Sequence, residues 1–404
     1  MSNRATVAIL GANGFIGSRL VESLVLSNLA DVRPIVRSFN GLVRPARFDL
    51  DCRLADGTDT ASLQPHLGGC EILFNCVTGV GSTIVKNIDA VYRAASAAGV
   101  RRLIHLSSAV VHGNAPAAGT QEETELISEQ PFEYNVNKVL AENLLWRYSR
   151  NRAVEVVVLR PFIVYGPRSI TWTARIASEL MSGSAYLVDA GTGICNTVFI
   201  DNLVHAMWLA AVSERAADQA FFITDGERVT WRDLYQALAD AVGVDLLTIQ
   251  NVSRAVLQNV RRKPNSSFWN SAILQSGRIA KQLLPPAAKW LGKKILPRQW
   301  TSNVRQAWEA AHASPNGTQR LSYDQPQLPA VDLQIASLQD CRYMLPITKA
   351  KTYLGYEPQV TFATGCLKAA SWLQFALGLK RTGIAGSTMR DNSKAVGSLA
   401  LHRE

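Results

Sequence analysis

The chain has 404 residues and a formal charge of +10, with 47% hydrophobic and 18% charged residues. That balance suits a large folded core of about two lobes and excludes a chain that is disordered as a whole. No apolar run reaches bilayer-spanning length and the first core strand begins a few residues after Met1, so the expectation is a cytoplasmic protein without a leader.

An apolar run at 5–10 breaks into Gly11-Ala12-Asn13-Gly14-Phe15-Ile16-Gly17. A buried strand feeding a phosphate-binding turn requires this spacing. Gly11 supplies the tight turn, Gly14 admits a pyrophosphate to the main chain, and Gly17 lets the new helix lie close on the strand. Asn13, Phe15 and Ile16 join the candidate dinucleotide site because the N-terminus of a helix over 15–26 faces the negative charge. A strand at 32–37 then ends beside the adenosine ribose. An acidic residue there would accept from the ribose 2′-hydroxyl, whereas Arg37 with Ser38 offers a cationic fork and points to NADP over NAD. The plainer alternative is a solvated arginine in a loop that also holds Arg44 and Arg47.

A short strand at 52–54 leads to Asp56 and Gly57, with Asp56 placed to meet the adenine amino group. The run 71–77 is nearly continuous and apolar, as a buried parallel strand should be, and delivers Val77 and Thr78 to the carboxyl edge where ligands bind. A helix over 84–98 stops at Gly99, and a strand at 102–106 brings Ser107 and Ser108 to the same edge. A polar loop at 114–130 is expected over the site. The helix 132–148 sets Tyr134 and Lys138 on one face, and a strand at 154–159 follows. Strands alternating with helices predict an α/β, doubly wound parallel sheet. The six cysteines show no metal-ligand spacing and are read as reduced core residues, with no metal site.

Taken together, these motifs resemble the extended short-chain dehydrogenase/reductase family, also called the NAD-dependent epimerase/dehydratase family. Beyond Gly11-x-x-Gly14-x-x-Gly17 they include 98–108 ending in Ser107-Ser108, Tyr134-x-x-x-Lys138, 159–167, 198–203 and 349–358, so the likeness covers roughly 5–378 apart from the basic segment 251–300. It implies a Rossmann domain (1–167 and 195–224) interleaved with a smaller α+β substrate lobe (168–194 and 225–378). In that arrangement 197–211 returns a strand and a helix to the sheet. It also implies a nicotinamide cofactor met by Pro161, a small-molecule substrate and a homodimer. A free tyrosine titrates near about 10, but the Lys138 ammonium and an oxidised nicotinamide would both stabilise its phenolate. Tyr134 is thus the candidate acid/base, Lys138 the group that depresses its pKa and holds the ribose, and Ser108 the donor to the substrate oxygen.

Departures narrow the chemistry. Where the dehydratases carry an Asp-Glu pair, this chain has Ala109 and Val110. Where the sugar-nucleotide epimerases carry Asn and a diphosphate-binding Arg, it has Ile163 and Cys195, although Arg168 or Arg175 could substitute. The stretches 201–203 and 226–231 look more like the hydroxysteroid dehydrogenases and ketone reductases. The leading expectation is hydride transfer between nicotinamide and a ketone or secondary alcohol on an apolar or lipid-linked substrate. One alternative is a nucleotide-sugar epimerase with the same Ser/Tyr/Lys site. The other is a redox-silent Rossmann binding protein, against which the intact triad weighs.

Within 251–300 there are ten basic residues, from Arg254 to Arg298, and no Asp or Glu. A local block favours a local anionic partner over nucleic acid. Its interleaved Trp269, Trp290 and large aliphatics suit an interfacial helix pair on an anionic membrane, the alternative being an insertion whose apolar face packs on the substrate lobe. The Gly/Ser-rich stretch 379–404 is expected to be a disordered tail.

Overall fold

A computed structural model describes residues 4–255, 257 and 331–379. Its strands are β1 (Thr6–Leu10), β2 (Asp31–Val36), β3 (Arg53–Leu54), β4 (Ile72–Asn75), β5 (Arg102–Leu106) and β6 (Glu155–Pro161), followed by β7 (Ile163–Tyr165), β8 (Tyr186–Val188), β9 (Thr197–Phe199), β10 (Gln219–Ile223) and β11 (Gln250–Val252). Its helices are α1 (Phe15–Leu26), α2 (Thr60–Leu63), α3 (Thr83–Ala97), α4 (Glu133–Ser149), α5 (Arg175–Met181), α6 (Ile200–Val212), α7 (Trp231–Val242), α8 (Leu333–Gln339), α9 (Thr348–Leu354) and α10 (Phe362–Leu377).

Seven strands form one parallel sheet in the order β10-β6-β5-β4-β1-β2-β3. β4, β5 and most of β6 are buried along their whole length, which only a sheet covered on both faces allows. Helices α1 and α6 pack together on one face and α3 and α4 on the other. The Nε of Arg19 on α1 reaches Asp201 of α6 at 2.6 Å. All carboxyl ends of the strands share one edge, so the turns after β1, β2, β4, β5, β6 and β10 face a common cleft.

The expected return of 197–211 is half right. α6 packs on the sheet, but β9 pairs with β7, Val198 opposite Val164, in a separate two-stranded sheet. Proline at the end of β6 removes a ladder donor, and the chain leaves the sheet there to become β7, which offers β9 a free edge. The place beside β6 goes to β10, a short aromatic strand that the sequence reading passed over. A second small pair joins β8 with β11; α5 and α10 pack on α7, and α8 packs on β8. The late chain is tied back by polar bonds. Trp231 donates to the Leu338 carbonyl (3.1 Å), Gln339 accepts from the Val188 amide (2.8 Å), Asn202 donates to the Val360 carbonyl (2.7 Å) and Tyr356 to the Thr224 carbonyl (3.0 Å).

Nine of the ten basic residues of 251–300, with Trp269 and Trp290, lie outside the described residues, as does 380–404. Arg254 is described, and its Nη2 sits 3.0 Å from Asp340, so this cation is engaged within the protein. No helix among the described residues is long and apolar enough to cross a membrane. The cysteines described are all free thiols, four of them buried.

Candidate active site

Steric demands account for two of the three turn glycines. Gly11 has φ +82, and a Cβ there would lie 3.1 Å from the Cys76 carbonyl. A Cβ on Gly17 would stand 2.3 Å from the Gly11 carbonyl oxygen. Gly14 has an ordinary φ of −67 and is exposed with Asn13, and α1 starts there with no side-chain cap. The first N–H groups of α1 are thereby left for an anion, as a pyrophosphate would need. Phe15 and Ile16 lie half-buried in the first turn of that helix.

A buried polar ladder positions the next turns. Asn75, at the end of β4, donates to Asn87 (2.7 Å), and Asn87 donates to the Gly57 carbonyl (2.7 Å). Asn75 also accepts from the Val77 amide at 3.2 Å, which fixes the turn that carries Val77 and Thr78. Asp56 is exposed, and one of its oxygens accepts from Thr58; those bonds, with Arg37 contributing, hold its carboxyl below the usual range. Arg37 stands exposed just past β2.

Arg44, which the sequence offers only as part of a loop, lies at the glycine turn. Its guanidinium donates to the Asn13 carbonyl (3.3 Å) and the Ser18 hydroxyl (3.2 Å), directly over the glycine turn. Burial lowers its pKa, and the neighbouring Arg168 and Arg47 lower it further. A half-buried guanidinium crowded by other cations is poised for an anion. The signal was present: 38–48 contains two arginines and no acidic residue.

Ser108, Tyr134 and Lys138 are brought together. Ser108 caps the 3₁₀ turn Ala109–His112, accepting from the Val110 amide, and its hydroxyl is hydrogen-bonded to the Tyr134 phenol. Lys138 is buried, donates to the Leu106 carbonyl at 3.0 Å, and has its Nζ 5.8 Å from the Tyr134 ring centre. Burial pushes the phenol above its ordinary pKa, and the Ser108 hydrogen bond recovers only part of that. Burial therefore outweighs the Ser108 hydrogen bond at this phenol. Burial also brings Lys138 down to about 8, against the pull of Glu142. Pro161 ends β6 at the same edge, buried opposite Ile223.

The sequence reading missed a charged network beneath these groups. Arg160 on β6 forks onto Glu142, with Nη2 2.6 Å from Oε2, and its Nη1 reaches the Glu122 carbonyl (2.8 Å) and His112 Nε2 (3.1 Å). Ser107 donates to Glu142 from the other side. The loop expected over the site is thus pinned at Glu122, whose carboxylate also accepts from the Phe222 amide (3.0 Å). Burial, with Arg160 beside it, takes His112 down to about 4, so the ring is neutral. The network joins residues 107, 112, 122, 142 and 160, and no local spacing announces it.

The departures behave as apolar positions. Ala109, Val110 and Ile163 are buried, and Cys195 is fully buried with its amide on the Val229 carbonyl (2.8 Å). Arg175 is paired with Glu179 at 2.6 Å.

A parallel seven-stranded sheet with a glycine turn at one strand end and a Ser/Tyr/Lys cluster at another defines an enzyme of the nicotinamide-dependent oxidoreductase and epimerase class. Residues 7–223 match the NAD dependent epimerase/dehydratase family, and the chain belongs to it. It is similar to a 4-hydroxy-2-methyl-3-oxo-4-farnesyl-3,4-dihydroquinoline-1-oxide ketoreductase of Stigmatella aurantiaca, 24% identical over 300 residues that cover 71% of this chain and 86% of that one. It is also similar to a UDP-glucose 4-epimerase of Vibrio cholerae, 26% identical over 256 residues, 59% of this chain and 76% of that one. Among solved structures, dTDP-glucose 4,6-dehydratase of Streptomyces venezuelae, with NAD and TYD bound, shares the fold at a TM-score of 0.63 and 19% identity, covering 92% of this chain and 98% of that one. NAD(H) is the cofactor of the family and of that neighbour.

Proposed function

We propose that the protein is an NADP(H)-dependent reductase that converts a ketone on an apolar or lipid-linked substrate to a secondary alcohol, or runs the reverse. The observation that carries the reading is the buried Tyr134 phenol in hydrogen-bond contact with Ser108, with the Lys138 Nζ 5.8 Å from its ring centre. When bound, the nicotinamide supplies or accepts the hydride. Ser108 donates to the carbonyl oxygen and orients it, and Tyr134 gives that oxygen its proton, returning to phenolate under the field of Lys138. Lys138 also holds the ribose hydroxyls, while Gly11, Gly14 and Gly17 cradle the pyrophosphate, with Asn13, Phe15, Ile16, Gly57, Val77, Thr78 and Pro161 lining the cofactor and Asp56 at the adenine. Arg37 reads the 2′-phosphate. Buried Ala109, Val110, Ile163 and Cys195 support an uncharged substrate over a nucleotide sugar, because none offers a group for elimination or for a diphosphate. Composition alone supports a membrane-docking role for 251–300 and the family likeness a homodimer.

Tyr134→Phe removes only the transferable proton. Turnover of NADPH with an apolar ketone is expected to fall about 10²–10⁴-fold while NADPH binding stays near wild type; a variant that keeps its rate would overturn the assignment. Tightly held cofactor that is recycled without net consumption would instead identify an epimerase.

A further inference from the structure

The candidate catalytic groups rest on one buried carboxylate that no reading of the reaction uses. Glu142 lies one turn beyond Lys138 on α4 and has no solvent exposure. Its Oε1 accepts the Ser107 hydroxyl. Ser107 stands between Leu106, whose carbonyl receives Lys138, and Ser108, which meets Tyr134. From the far side, the Nε of Arg160 lies 3.1 Å from each Glu142 oxygen.

We propose that Glu142 is a positioning residue that keeps Lys138 in its ammonium form above the Tyr134 ring. The inference rests on the reading of Ser108, Tyr134 and Lys138 as the reacting set. Two buried cations, Lys138 and Arg160, share the neighbourhood of this carboxylate, and a desolvated amine sheds its proton unless an anion stands near it. The groups facing Lys138 come from several elements: Tyr134 and Glu142 on α4, His105 on β5, and, through Glu142, Arg160 on β6 and His112 in the turn after Ser108. His105 is held neutral by burial and by Lys138 itself, so it adds no charge. Glu142, four residues on from Lys138 and so on the same face of α4, is the carboxylate placed to act on it, and it raises Lys138 against burial. A purely structural account, in which Glu142 only neutralises Arg160, leaves the Ser107 link unexplained. That link ties the carboxylate to the strand end holding the acceptor of Lys138.

The test reads Lys138 directly, without a substrate. Full-length protein carrying ¹³Cε-lysine is titrated by NMR with NADPH bound, Lys138 being assigned by its loss in Lys138→Arg. Wild-type Lys138 sets the reference position. In Glu142→Gln it should titrate about one pH unit or more lower, since an opposite charge at close range is worth that much, and Glu142→Asp should restore the wild-type position. The alkaline limb of turnover should move down by the same amount. Where Glu142→Gln does not fold, the double variant Glu142→Gln/Arg160→Met removes both buried charges and strands neither; because Arg160 lies on the far side of the carboxylate from Lys138, the shift should still be downward but smaller. A Lys138 titration at or above the wild-type position in the folding variant would overturn the inference. If Tyr134→Phe is inactive while Lys138 does not shift, this inference alone fails; if Tyr134→Phe stays active, the catalytic reading fails whatever Lys138 does.

Discussion

The two ends of the cleft are built by opposite means. At the end of β1 the backbone makes the site: a positive φ at Gly11, a contact at Gly17 that leaves no room for a methyl, and an uncapped helix start, with Asn13 and Arg37 standing in solvent. At the end of β5 the side chains make it, and Ser107, Ser108, Tyr134, Lys138, Glu142 and Arg160 are all buried. Backbone sites tolerate changes of side chain but not added volume. Buried side-chain sites tolerate neither the loss of a charge nor an unmatched one.

Removing a charge from the second end should have the largest effect. Arg160→Met takes the bidentate partner from Glu142, and breaking a buried pair from one side costs about 3–5 kcal/mol. Urea unfolding should show that loss, and a change below about 1 kcal/mol would place the pair among weak surface bridges and erase the contrast. At the first end, cations act on affinity and not on stability. Arg37→Asp should weaken NADPH far more than NADH, and Arg44→Ala should weaken both alike, each by about 1.5–3 kcal/mol for a hydrogen bond to a charged group. Calorimetry on the two cofactors separates them, and equal wild-type affinities would sink the NADP preference.

Gly17→Ala should cost about 1–3 kcal/mol of stability through overpacking and weaken cofactor binding, because the Gly11 carbonyl must move. Unchanged binding in that variant would show that the turn is not the pyrophosphate cradle. The smallest effect is expected at Asp225, which combines both styles: a buried carboxylate met by the Phe199 amide (2.8 Å) and the Asn202 amide group (2.7 Å). Burial raises its carboxyl to about 7 against those hydrogen bonds. Between the ordinary carboxylate range and about pH 7 the folded state therefore holds a proton that the unfolded state has released, and the stability this group contributes falls as pH rises. Asp225→Asn should flatten that dependence, so the melting temperature of wild type minus variant should decrease between pH 5 and pH 8. A difference that does not change with pH would remove Asp225 from the account.

The same division explains what was legible in the sequence. Strands β1, β2, β4 and β5 and helices α1, α3 and α4 fall within a residue or two of their expected bounds, because local apolar runs and glycine stops specify them. The Ser108, Tyr134 and Lys138 cluster was legible only through motif spacing, since residues 26 and 30 apart meet by tertiary packing. Glu142 and Arg160 were invisible, because a buried charge and a solvated one read alike in a sequence. β9 was placed in the wrong sheet and β10 was missed, because three- to five-residue strands carry too little periodicity to declare their partners. Nothing in the loop sequence singles out Arg44, and only the contact with Asn13 and Ser18 separates it from Arg47, which pairs with Glu22 at 2.6 Å.

The return of the late chain onto the sheet has a consequence for how the protein is made. The contacts of Tyr356 with Thr224 and of Asn202 with Val360 join residues 132 and 158 apart in sequence. A ribosome adding about 5–20 residues per second exposes the whole parallel sheet on the order of ten seconds before these closing segments emerge. During that interval the surface around Asp225, Phe199 and Tyr165 lacks its cover. The nascent chain is thus most exposed to wrong association after its nucleotide-binding half is complete, and a molecule arrested before residue 345 would carry every candidate catalytic group without the segments that close the sheet edge beside them.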